Sequence, residues 1–344
     1  MKTRSLQNLC LLVASLLFWI FLIEFVLRIL PTPLRDEFLN HQFSRRHPST
    51  APVFGSHPTL GKWSLPNTQG IVERREYRIH VHINTKGLRG PEKDYPKPPG
   101  KFRILFLGDS FTYGTGAEEN ETFVHLVEQI GVSRVDAING GAPGSSTADE
   151  FRFLSLEGYK YSPDLIVLCF FQNDVDDNFQ EALNTHRQQQ SPPGISLVYK
   201  ALGKINVLLD QGLYGRSALY SAVKYLKKNY LESYRVSLNE FQITRKHLEE
   251  MREFAGRKKI PLAMVYIPRR EELRKSKEEH LAGAFLEQYA KENQIPLLNL
   301  WKVFRERSDA LGLYFPLDTH VNAKGHLIVA GLICEFVKPL METR

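Results

Sequence analysis

Four short stretches of this 344-residue chain carry side chains suited to acyl transfer. They are Gly108-Asp109-Ser110, the run NGGAPG at 139–144, Gln172-Asn173-Asp174, and Asp318-Thr319-His320. Attack by a serine on an ester carbonyl needs a base to take the hydroxyl proton, a carboxylate to orient that base, and donors for the developing oxyanion. Ser110 offers the hydroxyl, His320 the base that later acts as acid, and Asp318 the carboxylate. The backbone N–H groups of Ser110 and Gly144, with the Asn173 side-chain amide, are the candidate oxyanion donors. Each stretch taken alone has a plainer reading. Asp and Ser before a helix make a turn and an N-cap, a glycine-rich run makes a tight connection, and Asn-Asp or Asp-Thr-His caps a helix.

The surrounding elements change that balance. FRILFLG, from Phe102, reads as a short apolar strand, and TFVHLVEQI as an amphipathic helix with Phe123, Leu126, Val127 and Ile130 on one face. SRVDAIN gives a second strand, TADEFRFLSLEGYKY a second helix and PDLIVLCFF a third strand. This alternation predicts a parallel sheet with right-handed crossovers, and apolar runs such as LIVLCF suit a sheet covered on both faces. In such a sheet ligands bind beyond the carboxyl ends of the strands. The first three stretches follow successive strands and are expected at one edge, and the fourth lies immediately before the last helix.

Further along, a helix is expected around residues 238–257, a strand at PLAMVYIP, a helix at EEHLAGAFLEQYAKEN, a strand at IPLLNL and a final helix after Asn322. Residues 175–235 interrupt the rhythm and read as a helical insertion that includes YSAVKYLKKNY. Upstream, YRIHVHINT at 77–85 alternates as a half-exposed strand does.

In these four blocks the sequence resembles the SGNH hydrolases, the GDSL-type esterase and lipase superfamily. GDSFTYG at 108–114 is similar to the family's first block, NGGAPG to its second, FQND at 171–174 to its third and DTHVN at 318–322 to its fifth. The resemblance implies Ser110 as nucleophile, Gly144 and Asn173 as oxyanion donors, with Gly141 the alternative register for the glycine, and Asp318 and His320 as the acid–base pair. Two departures stand out: Gln172 replaces the family's glycine, and the last block has D-x-H spacing where D-x-x-H is commoner. An N-x-x-G-L-R element, Asn84 to Arg89, resembles that of membrane-tethered bacterial relatives. The implied fold is a three-layer α/β/α sandwich with a mainly parallel, flavodoxin-like sheet. The implied activity is hydrolysis of extracytoplasmic O-acyl esters, acetylated glycans among them. Transfer of the acyl group to a sugar hydroxyl, and noncatalytic glycan binding in an envelope protein, are the alternatives. No cofactor or metal is implied.

Competing sites are weaker. An ordinary α/β-hydrolase elbow, G-x-S-x-G, is absent at Ser110 because position 112 is Thr. Ser146 lies nearer that pattern but follows its strand by a long loop, and His326, the alternative base, falls a turn into the last helix. DVDDN at 174–178 lacks the glycine and distal Glu of a calcium loop and reads as a solvated helix start. His80 and His82 share one strand face without a third ligand and read as surface residues. Cys10, Cys169 and Cys334 form no CxxC pair and read as structural thiols.

Charge and hydropathy bear on location. Residues 1–100 hold 14 Lys+Arg against 7 Asp+Glu, and the remainder is balanced at 31 each, so the whole excess is N-terminal. Clusters such as Arg45-Arg46 and Arg74-Arg75 read as solvated surface, and no basic run interleaved with aromatics points to nucleic acid. Leu9 to Ile23 carry no charge, and apolar character resumes up to Leu30. Residues 9–30 are therefore expected to span a bilayer, with Glu24 and Arg28 paired at i,i+4 near the headgroups. No small residues mark a cleavage site, and Cys10 precedes the apolar core, which disfavours a lipoprotein signal. The expected organisation is an anchor at 1–30, a linker with accessory strands at 31–100, and a hydrolase domain at 101–344 with its insertion at about 175–235. The expected location is the inner membrane, with the amino terminus inside and the catalytic domain outside.

Overall fold

The computed structural model describes residues 2–29, 35, 38–39, 54–57, 59–131, 134–179, 213, 216–226, 238–274 and 281–342. The chain divides into two compact units, Met1–Pro48 with Gln188–Arg235, and Ser49–Arg187 with Val236–Arg344.

In the first unit, helix α1 (Lys2–Ile29) contains a stretch, Leu11–Ile29, with mean hydropathy 2.3 and none of its window buried, long and apolar enough to cross a membrane. Arg28 and Glu24 form the expected ion pair at 2.7 Å. Much of the 175–235 insertion lies outside the described residues; a nine-residue helix near its end, Ala218–Leu226, is described with this unit.

The second unit begins with two antiparallel ribbons, β1 (Phe54–His57) with β2 (Gly61–Ser64), and β3 (Thr68–Glu73) with β4 (Arg78–Ile83). The alternation in β4 is borne out, since Ile79, Val81 and Ile83 are buried while Arg78, His80 and His82 are exposed. The sheet follows: β5 (Phe102–Gly108), then α2 (Ser110–Tyr113), α3 (Phe123–Ile130), β6 (Val135–Gly141), α4 (Thr147–Leu156) and β7 (Leu165–Phe171). After the insertion, whose helix is numbered α5, come α6 (Leu238–Lys258), β8 (Leu262–Ile267), α7 (Leu281–Glu292), β9 (Leu297–Asn299), α8 (Leu300–Arg305) and α9 (Ala323–Glu342).

All five strands are parallel, in the order β6-β5-β7-β8-β9. The chain therefore reverses its direction of winding between β5 and β7, the switch point where loops diverge and leave a crevice. One face of the sheet packs against α3, α8 and α9 through Phe123, Val127, Phe304, Val329 and Ile333. The other packs against α4, α6 and α7 through Phe153, Leu154, Leu248, Met251 and Leu286. These are the three expected layers. Two local expectations fail. In α3, Val124 turns inward and Ile130, the last residue before the Gly131 cap, is 44% exposed. The glycines at 140 and 141 also prolong β6 instead of opening a loop: a Cβ on Gly141 would lie 2.3 Å from the Tyr113 amide nitrogen, so only glycine lets the strand pass α2.

Candidate active site

Ser110 is delivered to the sheet rim by the end of β5. Asp109 caps α2, its buried carboxylate accepting from the Phe111 amide at 2.9 Å. Gly108 is held between α2 and β7, where a Cβ would meet Thr112 Oγ1 at 2.1 Å and the Cys169 carbonyl at 2.8 Å. The junction therefore combines a glycine with no room for a side chain and an acid cap, the two residues that precede the serine. The far end of α2 is held by Arg89, whose buried guanidinium donates to the carbonyls of Tyr113 (3.1 Å), Gly114 (2.7 Å) and Ala117 (2.6 Å). A cation at these C-terminal carbonyls satisfies groups the helix leaves unpaired. Asn84, which opens the same motif, accepts from the Lys86 and Leu88 amides, both at 3.0 Å, and so shapes the turn that carries Arg89.

His320 meets this junction from the loop before α9. Its Nε2 lies 2.7 Å from Ser110 Oγ, and its Nδ1 pairs with Asp318 Oδ1. With Nδ1–H donating to the ionised carboxylate, Nε2 is left to accept from the hydroxyl. The one-residue gap between Asp318 and His320 suffices because the Asp318 carboxylate also accepts from the His320 backbone amide at 3.0 Å, closing an Asx turn that brings ring and carboxylate together. The other carboxylate oxygen accepts from the Tyr77 hydroxyl at 3.3 Å. Burial pushes the Asp318 carboxyl up, but the hydrogen bonds from His320 and Tyr77 and the nearby imidazole charge outweigh it, so its pKa lies below the usual carboxylate value.

Glu76 fixes the backbone of the same loop. Its carboxylate accepts from the Leu317 amide at 3.0 Å and from the Asp318 amide at 2.6 Å. Tyr77 packs its ring on Phe315 with centroids 5.1 Å apart. Glu76 and Tyr77 sit in the turn between β3 and β4, a region the sequence marks only as an alternating strand. No sequence signal links them to Asp318, because the link is a tertiary contact across about 240 residues.

On the oxyanion side, Gly141 is disqualified by its own bonding: its amide donates to Asn139 Oδ1 at 3.0 Å inside β6. Gly144, with φ of 75°, is exposed in the loop that follows. Asn173 begins a helical stretch at 173–179, directly after β7, and β7 is registered against β5 with Gly108 opposite Cys169. One hydrogen of its amide is directed at Asp177 Oδ2, 2.9 Å away. The expectation of a solvated start to this helix is only half right. Asp174 and Asn178 are buried: Asp174 accepts from the Phe171 amide at 3.0 Å, and Asn178 donates to Thr244 Oγ1 at 3.1 Å and accepts from the Ala148 amide at 3.2 Å. They turn inward because the stretch starts under the rim of the sheet, between α4 and α6.

Behind Ser110 the structure gathers carboxyls that the sequence does not link. Asp109, Glu150 and Asp174 are all buried, and burial followed by mutual repulsion pushes Glu150 and Asp174 well above the usual carboxylate range. Burial likewise raises Asp109, and Asp177 is pushed up to about 7 by burial and then by Asp109 and Asp176. Among the described residues no group of three or more His, Cys, Asp or Glu is placed to hold a metal.

The rival groups are accounted for. His326 is fully buried, its Nδ1 accepts from the Phe123 amide at 3.2 Å, and burial drives its pKa down to about 3, so it is a neutral packing residue. Ser146 caps α4 in a reciprocal capping box with Asp149. His80 pairs with Glu118 at 3.1 Å, and His82 lies 3.2 Å from the Gly90 carbonyl.

A glycine-gated serine at the switch point of a parallel sheet, with a histidine on its hydroxyl, defines a serine hydrolase of the flavodoxin-like α/β class. The profile of the GDSL-like Lipase/Acylhydrolase family matches residues 106–328, and the chain belongs to that family. It is a serine hydrolase acting on ester bonds. Solved structures with a similar fold include a lipase/acylhydrolase from Enterococcus faecalis, 18% identical over 70% of this chain and 96% of that one, with a TM-score of 0.44. An acetyl xylan esterase, AlAXEase, is 15% identical over 69% of this chain and 100% of that one, with a TM-score of 0.44. A two-domain esterase, CEX, active on acetylated mannans, is 13% identical over 70% of this chain and 50% of that one, with a TM-score of 0.43. No curated protein matches the chain.

Proposed function

We propose that the protein is a membrane-tethered serine esterase that removes O-acyl groups, acetyl groups of envelope glycans in particular, through an acyl-enzyme on Ser110. Ser110 Oγ attacks the carbonyl as His320 Nε2 takes its proton, and the Asp318 carboxylate holds the imidazolium that forms. The N–H groups of Ser110 and Gly144 and the Asn173 amide receive the oxyanion, each worth on the order of 10² to 10³ in rate. His320 then protonates the departing alcohol, and water repeats the sequence to release the acid. The observation that carries this reading is the 2.7 Å contact between Ser110 Oγ and His320 Nε2, with Asp318 on the opposite ring nitrogen. The glycan and short-acyl part rests on the resemblance of the four sequence blocks. The tether rests on the exposed apolar helix Leu11–Ile29, and an inside amino terminus on its short basic tail. The test is p-nitrophenyl acetate hydrolysis by the full chain and by Ser110→Ala. The variant is expected to lose a factor on the order of 10⁴ or more, and equal rates would remove Ser110 from the mechanism.

A further inference from the structure

The described helix of the insertion between β7 and α6, α5, bonds to the N-terminal helix. Glu24 of α1 accepts from the Ala218 amide at 2.8 Å, the Leu219 amide at 2.8 Å and the Ser217 hydroxyl at 2.9 Å. Arg28 donates both to Glu24, at 2.7 Å, and to the Arg216 carbonyl, at 2.6 Å. The first N–H groups of a helix have no partner within it, so a carboxylate from another helix caps α5 and complements its positive end. Ala218, Ser221 and Ala222, spaced i, i+3, i+4, are buried, whereas Val223 is 55% exposed and Leu213, just upstream, 40% exposed.

We propose that α5 is a membrane-surface element: fastened to the C-terminal end of the anchor through Glu24, it lies in the headgroup layer and presents Val223 and Leu213 to the bilayer. This rests on α1 being a membrane anchor. Given that, the position follows from length. Ser5 to Glu24 is twenty residues, about 30 Å at 1.5 Å per residue and the thickness of the hydrocarbon core, so a span that begins just after Lys2 and Arg4 places Glu24 at the inner boundary of the headgroup layer. The composition suits that depth: Tyr220, Lys224 and Tyr225 lie within α5, and Lys227 and Lys228 follow it in the sequence. Tyrosine and lysine are the residues that anchor at a lipid interface and meet anionic headgroups. The same contact explains how a carboxylate can sit at the edge of the apolar span, since Arg28 and three donors from the α5 segment neutralise and satisfy it.

The test uses the full chain with Cys10 and Cys334 replaced by serine, reconstituted in vesicles of phosphatidylethanolamine and phosphatidylglycerol. A nitrobenzoxadiazole label is placed in turn at Val223→Cys, at Phe18→Cys within α1, and at Lys302→Cys on the exposed surface of the hydrolase unit. Lipids carrying a nitroxide near the headgroup are expected to quench the Val223 label at least twofold more than the Lys302 label, and Glu24→Ala is expected to abolish the difference while leaving the Phe18 label quenched by chain-end nitroxides. A quenched Phe18 label beside a Val223 label that behaves like Lys302 would overturn the proposal alone, as would quenching of Val223 that survives Glu24→Ala. An unquenched Phe18 label would overturn the anchor reading on which the proposal rests.

Discussion

Ser110 and the Asp318–His320 pair face each other across one hydrogen bond, yet they are held in place by different means. The serine is placed largely by its sequence neighbours: Gly108 admits the backbone between α2 and β7, and Asp109 caps the helix that Ser110 opens. The histidine loop takes its position from afar. Glu76 holds the Leu317 and Asp318 amides, Tyr77 holds the carboxylate, and Arg270 donates to the Pro316 carbonyl at 3.0 Å. Glu76 and Tyr77 precede the span, 106–328, that the family profile matches. The accessory ribbon therefore bonds directly to the loop of the Asp-x-His pair, through residues outside the span that the family profile matches.

Perturbing each half should produce graded losses. Asp318→Asn leaves the packing intact but offers His320 Nδ1 a different partner, and kcat is expected to fall by a factor on the order of 10³ to 10⁴. A loss under tenfold would mean that the loop, not the carboxylate, orients the ring. Glu76→Ala frees the loop backbone without touching the ring and is expected to lower kcat by up to about 100-fold, the scale of a misplaced catalytic group. Tyr77→Phe removes one hydrogen bond to a charged group, worth about 1.5–3 kcal/mol, and should cost roughly tenfold in kcat with little change in KM. If both variants match wild type in steady-state kinetics, the ribbon is only packed against the site and the comparison collapses.

The smallest effect belongs to the serine side. Asp177 is raised to about 7 in the fold from an ordinary value near 3.8, so between those limits the native state holds a proton that the unfolded chain has released. The Asp177 contribution to wild-type stability should therefore decline as pH rises from about 4 to about 7 and level off above. Asp177→Asn lacks this titration, and the Tm difference, variant minus wild type, should grow across that window. A difference that stays flat with pH would mean that Asp177 ionises normally.

What the sequence discloses follows the same division. Apolar runs and alternating helices disclose the parallel sheet, because each strand buried on both faces leaves a local signature. Ser110 is legible for a similar reason: the glycine, the cap and the nucleophile are consecutive. Asp318 and His320 are legible as a pair, but their support is not, since Glu76 falls outside any periodic stretch and Tyr77 reads only as the first residue of an alternating strand. The buried carboxyls were equally hidden. Glu150 looks like an ordinary helix-surface acid beside Asp149, and only the packing of α4 against the sheet turns it inward. Asp174 reads as a helix start until the backbone of β7 is seen to bond its carboxylate.

The most direct test of the account is the site of covalent capture. The full chain is treated with a fluorophosphonate and its peptides are mapped by mass spectrometry. A single adduct on Ser110 is expected, formed rapidly in wild type, slowed in His320→Ala and absent in Ser110→Ala. No adduct in wild type, or an adduct on another serine such as Ser146, would contradict it.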